Sequence, residues 1–138
     1  MSYDNYMSQR KLLSQIIALM FFIFLANTAI VKFHWYYTIW WSDMPIHFLS
    51  GFWVGLFFFY VFYTRDIFTQ KLAVVVFCVL LIGISWEVFE FLLNIISKES
   101  LNTLDTLSDI FFDVSGGLCA ILYVCKREQI KLQIRQSA

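Results

Sequence analysis

Acidic side chains and one histidine are the residues of this sequence whose types and spacing could do chemistry. Asp43 and His47 stand four residues apart in SDMPIHFLSGFWVG, and Glu87 and Glu90 stand three apart in WEVFEF. Three aspartates follow at intervals of four residues: Asp105, Asp109 and Asp113. On a helix these spacings place each set on one face. Carboxylates near a histidine can hold a divalent cation or divide the roles of general acid and general base.

The elements that must position these residues are membrane spans. The chain has 138 residues, of which 60% are hydrophobic and only 14% are charged. A soluble domain of this size could not bury so much apolar surface. Four apolar stretches have the roughly 20 residues that a bilayer crossing needs, at about residues 12–31, 44–63, 72–96 and 104–124. The sequence therefore predicts an all-α polytopic membrane protein, a single domain over residues 1–138 that forms a bundle of four transmembrane helices.

The distribution of basic residues predicts the orientation of the bundle. Cytoplasmic loops carry an excess of Lys and Arg, and eight basic residues fall at the two termini and between the second and third spans, against Lys32 and Lys98 on the other side. We expect both termini to be cytoplasmic. The aromatic stretch KFHWYYTIWW then lies at the outer interface, where it would anchor the protein and could form a short helix.

This topology brings the acids together near the outer face. The second span begins near Asp43 and runs inward, whereas the third runs outward and carries Glu87 and Glu90 in its outer half. From the rise per residue, Glu90 and Asp109 should lie about 7 to 9 Å deep. Glu87 and Asp113 should both lie near about 13 Å. We expect one acidic, His-containing pocket that opens to the outer leaflet.

Like charges packed together in lipid need compensation, and the spans contain no Lys or Arg that could supply it. A divalent cation could bind the carboxylates, the acids could hold protons, or a cationic group of a substrate could enter. The candidate metal ligands are His47, Asp43, Glu87, Glu90, Asp109 and Asp113. The candidate catalytic residues are Glu87, Glu90, Asp113 and His47. The glycines near these residues are interpreted as close helix contacts.

Three function classes remain open from the residues. A membrane enzyme could use the pocket on a cell-envelope lipid or a lipid-linked substrate, with a metal ion or with acid/base catalysis. A proton- or cation-coupled carrier is the second class, although no polar path continues into the cytoplasmic halves of the spans. A non-catalytic accessory protein is the third. We expect membrane lipid as a partner and a homo-oligomer as an option, and the zero net charge argues against nucleic acid.

At DMPIHFLSGF, WEVFEF and DTLSDIFFDVSGG the chain resembles the VanZ-like and YjdF-like families of small bacterial inner-membrane proteins. The resemblance extends from about Asp43 to Gly117 and covers three of the four spans. It implies that the polar positions of the family are Asp43, His47, Glu87, Glu90, Asp109 and Asp113. VanZ-like proteins usually have a Gln near the acid pair, where this chain has Phe91. The resemblance implies a place in the cell envelope but no particular reaction.

Overall fold

A computed structural model describes residues 3–62, 68–97 and 103–137 of the chain. Within these ranges the protein contains helices and no strand. The helices are α1 (Tyr3–Lys32), α2 (Trp35–Thr38), α3 (Met44–Val61), α4 (Phe68–Ser97) and α5 (Thr103–Ser137). Four of them are long and apolar enough to cross a membrane. The predicted all-α bundle of four spans is therefore confirmed.

The helices differ from the predicted spans mainly at their ends. Helix α3 ends at Val61, so the predicted end of the second span at Tyr63 lies outside the described residues. Helix α5 continues well past the predicted end at Val124, as far as Ser137. Its polar last turns follow the apolar segment because nothing in KREQIKLQIRQS breaks a helix. The loop positions Arg65 and Lys98, on which the predicted orientation depends, also lie outside the described residues.

A sharp corner joins α1 to α3. His34 has a left-handed backbone with φ of 57° and ψ of 31°, which ends α1 and starts the single turn of α2. The hydroxyl of Ser42 donates to the carbonyl oxygen of Trp35 at 3.3 Å and closes the corner. The aromatic stretch thus contains the short helix that the sequence predicted. The corner places Asp43 directly before the first turn of α3.

Helices α3 and α5 cross in very close contact. A Cβ atom added to Gly51 would overlap the carbonyl oxygen of Asp113, and one added to Gly116 would overlap the carbonyl oxygen of Phe48. One turn further along, a Cβ at Gly55 would lie 2.8 Å from the Cβ of Ala120. Small residues permit such backbone approach in lipid, where packing replaces the hydrophobic effect as the driving force. The glycines therefore act in packing, and they fix α5 against the helix that carries His47.

One half of the bundle has an apolar core. It is formed by the beginnings of α1 and α4 and the later turns of α3 and α5, and we call it the apolar half. Its buried residues are Leu12, Ile16, Val54, Leu56, Phe59, Val75, Val79, Ala120, Ile121 and Val124. The half that contains the first turns of α3 and α5 is called the polar half. Both halves are built from the same three packed helices, α3, α4 and α5.

Helix α1 packs on one side of the bundle only. Its backbone approaches α3, and the indole nitrogen of Trp53 donates to the carbonyl oxygen of Ile16 at 2.9 Å. Near its start, the side-chain amide of Gln15 donates to the hydroxyl of Tyr123 at 3.0 Å. Among the described residues, no Cα of α1 lies within 8 Å of a Cα of α4. The backbones of α1 and α4 are therefore not in contact, and α3 packs against both of them. We call the space between α1 and α4 the gap.

Candidate functional site

Three helices bring five of the predicted polar residues together in the polar half. Asp43 and His47 come from the start of α3, Glu87 comes from α4, and the last two come from α5: Asp109 and Asp113. Four of the five are more than nine-tenths buried, and Asp43 is partly buried. We call these five residues the acidic centre. Charged groups at such depth in a span are costly and commonly mark function.

His47 lies between two carboxylates. Its Nε2 atom is 3.5 Å from Oδ2 of Asp43, one helical turn earlier on the same helix. Its Nδ1 atom is 3.5 Å from Oδ2 of Asp113 on α5. Asp43 occupies the N-cap position of α3, but its side chain makes no capping hydrogen bond. The carboxylate of Asp43 thus faces the imidazole instead of serving the helix end.

Asp109 completes a compact group with these residues. It lies one helical turn before Asp113 on α5 and is almost wholly buried. One ligand atom from each of Asp43, His47 and Asp109 can be chosen so that all three lie within 4.8 Å of one another. The group joins a nitrogen donor to two carboxylates, which is a donor set that divalent metal ions use.

Glu87 approaches this group from α4 and retains an unsatisfied oxygen. Its side chain is buried, and its Oε1 atom has no hydrogen-bond partner among the described residues. Thr106 on α5 interacts with the same carboxyl group, and His47 and Asp113 are close enough to act on it electrostatically. A buried polar atom without a partner is unusual in a native structure and calls for an explanation.

Glu90 is placed differently from the other candidate residues. Its Oε1 atom accepts a hydrogen bond of 2.8 Å from the indole nitrogen of Trp86, on the same helix. It is only partly buried and lies on the wall of the neighbouring cavity. Asp105, at the start of α5, is exposed. The predicted acidic set is therefore divided into a buried centre, the cavity residue Glu90 and the exposed Asp105.

Gly83 belongs to the site, although it was not among the site residues predicted from the sequence. A Cβ atom added to Gly83 would lie 2.8 Å from Oδ2 of Asp113, the oxygen that faces His47. Gly83 lets the backbone of α4 approach this carboxylate. The signal was present in the sequence, because Gly83 precedes Glu87 by four residues and Glu90 by seven and so shares their helix face.

A cavity of about 420 Å³ adjoins the acidic centre. Asp43, His47 and Asp113 line its polar end. The rest of its wall is largely apolar and includes Phe24 of α1 and Ile82 of α4. It therefore lies in the gap between α1 and α4, with α3 behind it. An apolar cavity with a few convergent polar groups at one end is typical of a small-molecule site.

The sequence was compared with known proteins. A family model described as "Predicted membrane protein (DUF2238)" matches residues 6–129, which is most of the chain. The chain belongs to this family. No curated protein and no solved structure was found to be similar to it. The match supports an integral membrane protein and extends over all four spans and the whole acidic centre.

The geometry of this membrane protein gives the acidic centre two chemical abilities. A carboxylate that accepts the N–H of an imidazole fixes the orientation of the ring, which is a requirement for both proton transfer and metal binding. Carboxylates that face the same small volume can take a proton from water or bind a cation that does so. Of the acidic centre, Asp43, His47 and Asp113 line the cavity and are the residues that a molecule in it would contact.

Proposed function

We propose that this protein is a membrane enzyme that acts on a lipid or lipid-linked substrate. In this proposal the acyl or prenyl part of the substrate occupies the apolar wall of the cavity, and its headgroup reaches Asp43, His47 and Asp113. The acidic centre activates water for hydrolysis. One proton of the water passes to a residue of the centre as the water oxygen bonds to the carbonyl carbon or the phosphorus atom of the substrate. The bond from that atom to the leaving oxygen breaks, and the leaving oxygen takes up a proton from the centre.

The position of the cavity is the observation that carries this proposal. It extends from the gap between α1 and α4 to the buried His47. In this proposal the gap between the two spans opens sideways toward lipid, and an amphiphile enters without leaving the bilayer. Its lining matches such a molecule, because Phe24 and Ile82 suit a chain while Asp43 and His47 suit a headgroup.

The apolar half argues against the carrier hypothesis. A coupled carrier needs polar groups along the whole path of its ion. The described residues beyond His47 form a core of aliphatic and aromatic side chains, including Phe59, Val75 and Val124. No polar path crosses this core among the described residues. A site that is reached from one side only fits an enzyme better than a transporter.

A cell-envelope setting completes the proposal. The bias of Lys and Arg supports cytoplasmic termini in a bacterial inner membrane, and the acidic centre then faces the outer leaflet. The resemblance to VanZ-like and YjdF-like proteins supports the same compartment. The substrate would then be an envelope lipid or a lipid-linked intermediate exposed at that leaflet.

Turnover in a defined membrane tests the function. The purified protein is reconstituted into liposomes made from a polar lipid extract of bacterial envelopes, and every lipid class is quantified by mass spectrometry over time. We expect one class to decrease while its hydrolysis product accumulates. Asp113→Asn should slow this change by about 100-fold or more, because it removes a charged partner of His47 that general acid/base catalysis needs.

Asp105→Asn is the matched control, since Asp105 lies on the same helix but is exposed and outside the acidic centre. Its turnover should equal that of the wild type. If no lipid class changes with the wild-type protein, or if Asp113→Asn turns over as fast as wild type, the enzyme proposal is wrong.

A further inference from the structure

We propose that the acidic centre binds one divalent transition-metal ion. The ligands are Asp43, His47 and Asp109, Asp113 orients the imidazole, and the buried Glu87 lies near these ligands. The inference rests on the proposed function for its purpose, since the ion would be the group that activates water. Ion binding itself can be measured without any substrate.

The spacing of the donor atoms fits a metal ion. In a tetrahedral zinc site with bonds of roughly 2.0 to 2.2 Å, neighbouring ligand atoms lie about 3.4 Å apart. Nε2 of His47 and Oδ2 of Asp43 are 3.5 Å apart. The three ligand atoms of Asp43, His47 and Asp109 lie within 4.8 Å of one another. A bound ion would draw the third donor inward from this separation.

Glu87 supplies an observation that is independent of the three-residue cluster. Its Oε1 atom is buried without a hydrogen-bond partner among the described residues. It lies close enough to His47 and Asp109 to act on both electrostatically. Leaving a buried carboxylate oxygen unsatisfied is costly. A cation held by Asp43, His47 and Asp109 would offset part of this cost electrostatically.

The surroundings of His47 also match a metal site. Histidine ligands generally donate their second ring N–H to a carboxylate, which fixes the tautomer and the direction of the metal-binding nitrogen. Nδ1 of His47 faces Oδ2 of Asp113 at 3.5 Å, while Nε2 faces Asp43. Asp113 is thus a positioning residue, and Gly83 leaves room for its carboxylate.

The donor set indicates the class of ion. Ca²⁺ and Mg²⁺ prefer oxygen ligands, whereas Zn²⁺ and Mn²⁺ accept a histidine nitrogen with carboxylates. A set of one imidazole and two carboxylates therefore favours a transition-metal ion. Such an ion also offsets part of the repulsion among the buried acids, for which the described residues of the spans offer no Lys or Arg nearby.

The test measures ion binding by the full chain in detergent, purified with an affinity tag that contains no histidine. The protein is stripped with chelator and titrated with Zn²⁺, Mn²⁺, Mg²⁺ and Ca²⁺. Thermal unfolding is followed by tryptophan fluorescence, and bound metal is counted by mass spectrometry. A ligand that binds only the folded state raises the melting temperature with concentration. We expect one Zn²⁺ or Mn²⁺ per chain and no comparable shift with Mg²⁺ or Ca²⁺.

Two matched pairs of variants locate the ion. His47→Asn and Asp109→Asn should lose saturable binding, whereas His34→Asn and Asp105→Asn should retain it. His34 is the second of the two histidines of the chain and lies at the exposed corner before α2. Asp113→Asn should weaken binding by about 10- to 100-fold without abolishing it, as expected for a group that orients a ligand.

The melting temperature of each variant in chelator shows whether it is folded. Wild-type protein without saturable binding, or folded His47→Asn and Asp109→Asn proteins that bind like wild type, would overturn the metal site. The failures of the two proposals are also distinguishable. Stoichiometric binding without lipid turnover refutes the enzyme alone, and turnover that persists in chelator refutes the ion alone.

Discussion

The two halves of the bundle use the same helices in opposite ways. In the apolar half, residues such as Val75 and Leu56 are almost completely buried against one another. In the polar half, equally buried positions are occupied by Asp109 and Asp113. Both halves belong to helices that are long and apolar enough to cross a membrane. One half is built for packing, and the other retains groups that packing alone does not require.

We infer that the apolar half provides stability and the polar half provides the proposed function. Replacing buried polar groups often stabilises a protein at the expense of activity. Substitutions in the apolar half should therefore lower stability, whereas removal of charge in the polar half should raise it. The predictions below test this contrast in order of decreasing effect on stability.

The close contact between α3 and α5 at Gly51 should be the position most sensitive to substitution. Gly51→Leu places a side chain where the carbonyl oxygen of Asp113 lies, and backbone cannot move aside as a flexible side chain can. We expect a loss of about 3 kcal/mol or more in unfolding free energy, or failure to yield a monodisperse protein. Titration with a denaturing detergent measures the free energy of unfolding. Ala73→Leu, at an exposed site on α4, is the control and should be nearly neutral.

The apolar half should lose stability when its core is truncated. Phe59 is 4% exposed, and Phe59→Ala should cost about 1 to 3 kcal/mol. The cost arises mainly from lost packing, because lipid tails are as apolar as the side chain. Phe24→Ala, at a 66% exposed site on α1, should change stability by less than about 0.5 kcal/mol in the same titration. Equal losses at the two positions would show that the described core does not hold the bundle together.

The polar half should respond with the opposite sign. Glu87→Gln preserves the shape of the side chain and removes one of several crowded negative charges. In chelator we expect unfolding free energy to rise by about 1 kcal/mol, while the stabilisation by added Zn²⁺ or Mn²⁺ decreases. Glu90→Gln should do neither, because its oxygen can still accept the hydrogen bond from Trp86. A destabilised Glu87→Gln protein would mean that this carboxylate contributes to packing, and the contrast between the halves would fail.

The smallest effect on stability is expected at Gly83. In Gly83→Ala the new methyl group meets the flexible end of the Asp113 side chain, which can rotate away. Better helix propensity offsets this displacement, so stability should stay within about 0.5 kcal/mol of wild type. Ion affinity should nevertheless decrease about tenfold, because His47 loses its orienting partner. Unchanged affinity in the metal titration would exclude Asp113 as a positioning residue.

The spans and their polar faces could be predicted from the sequence, but which helices pack against one another could not. Hydrophobic length alone defines a span, and the four-residue spacing of Asp105, Asp109 and Asp113 defines a face. The choice of α3 as the close neighbour of α5 depends on how Gly51 and Gly116 fit opposing backbones, which no single-helix pattern contains. The sequence therefore predicts which polar residues share a helix face, but not which helices bring those faces together.

The division of roles within the site needed the structure. Glu87 and Glu90 lie on one helix face three residues apart, yet one is buried and the other bonds to Trp86 at the cavity wall. Which carboxylate faces which nitrogen of His47 depends on small rotations of α3, α4 and α5 against one another. The cavity depends on the absence of backbone contact between α1 and α4. A sequence pattern can indicate that two helices pack together, but it does not indicate that two helices stay apart.

Under the proposed function, the gap between α1 and α4 has a consequence for how this protein would meet a lipid substrate. A molecule that enters sideways is already dissolved in the membrane, so its effective concentration is its mole fraction among the surrounding lipids. The rate should then fall when the substrate is diluted with inert lipid, even if the amount of substrate per volume of sample stays the same. Encounter becomes a two-dimensional search, in which bilayer composition and fluidity replace bulk concentration as the controlling variables.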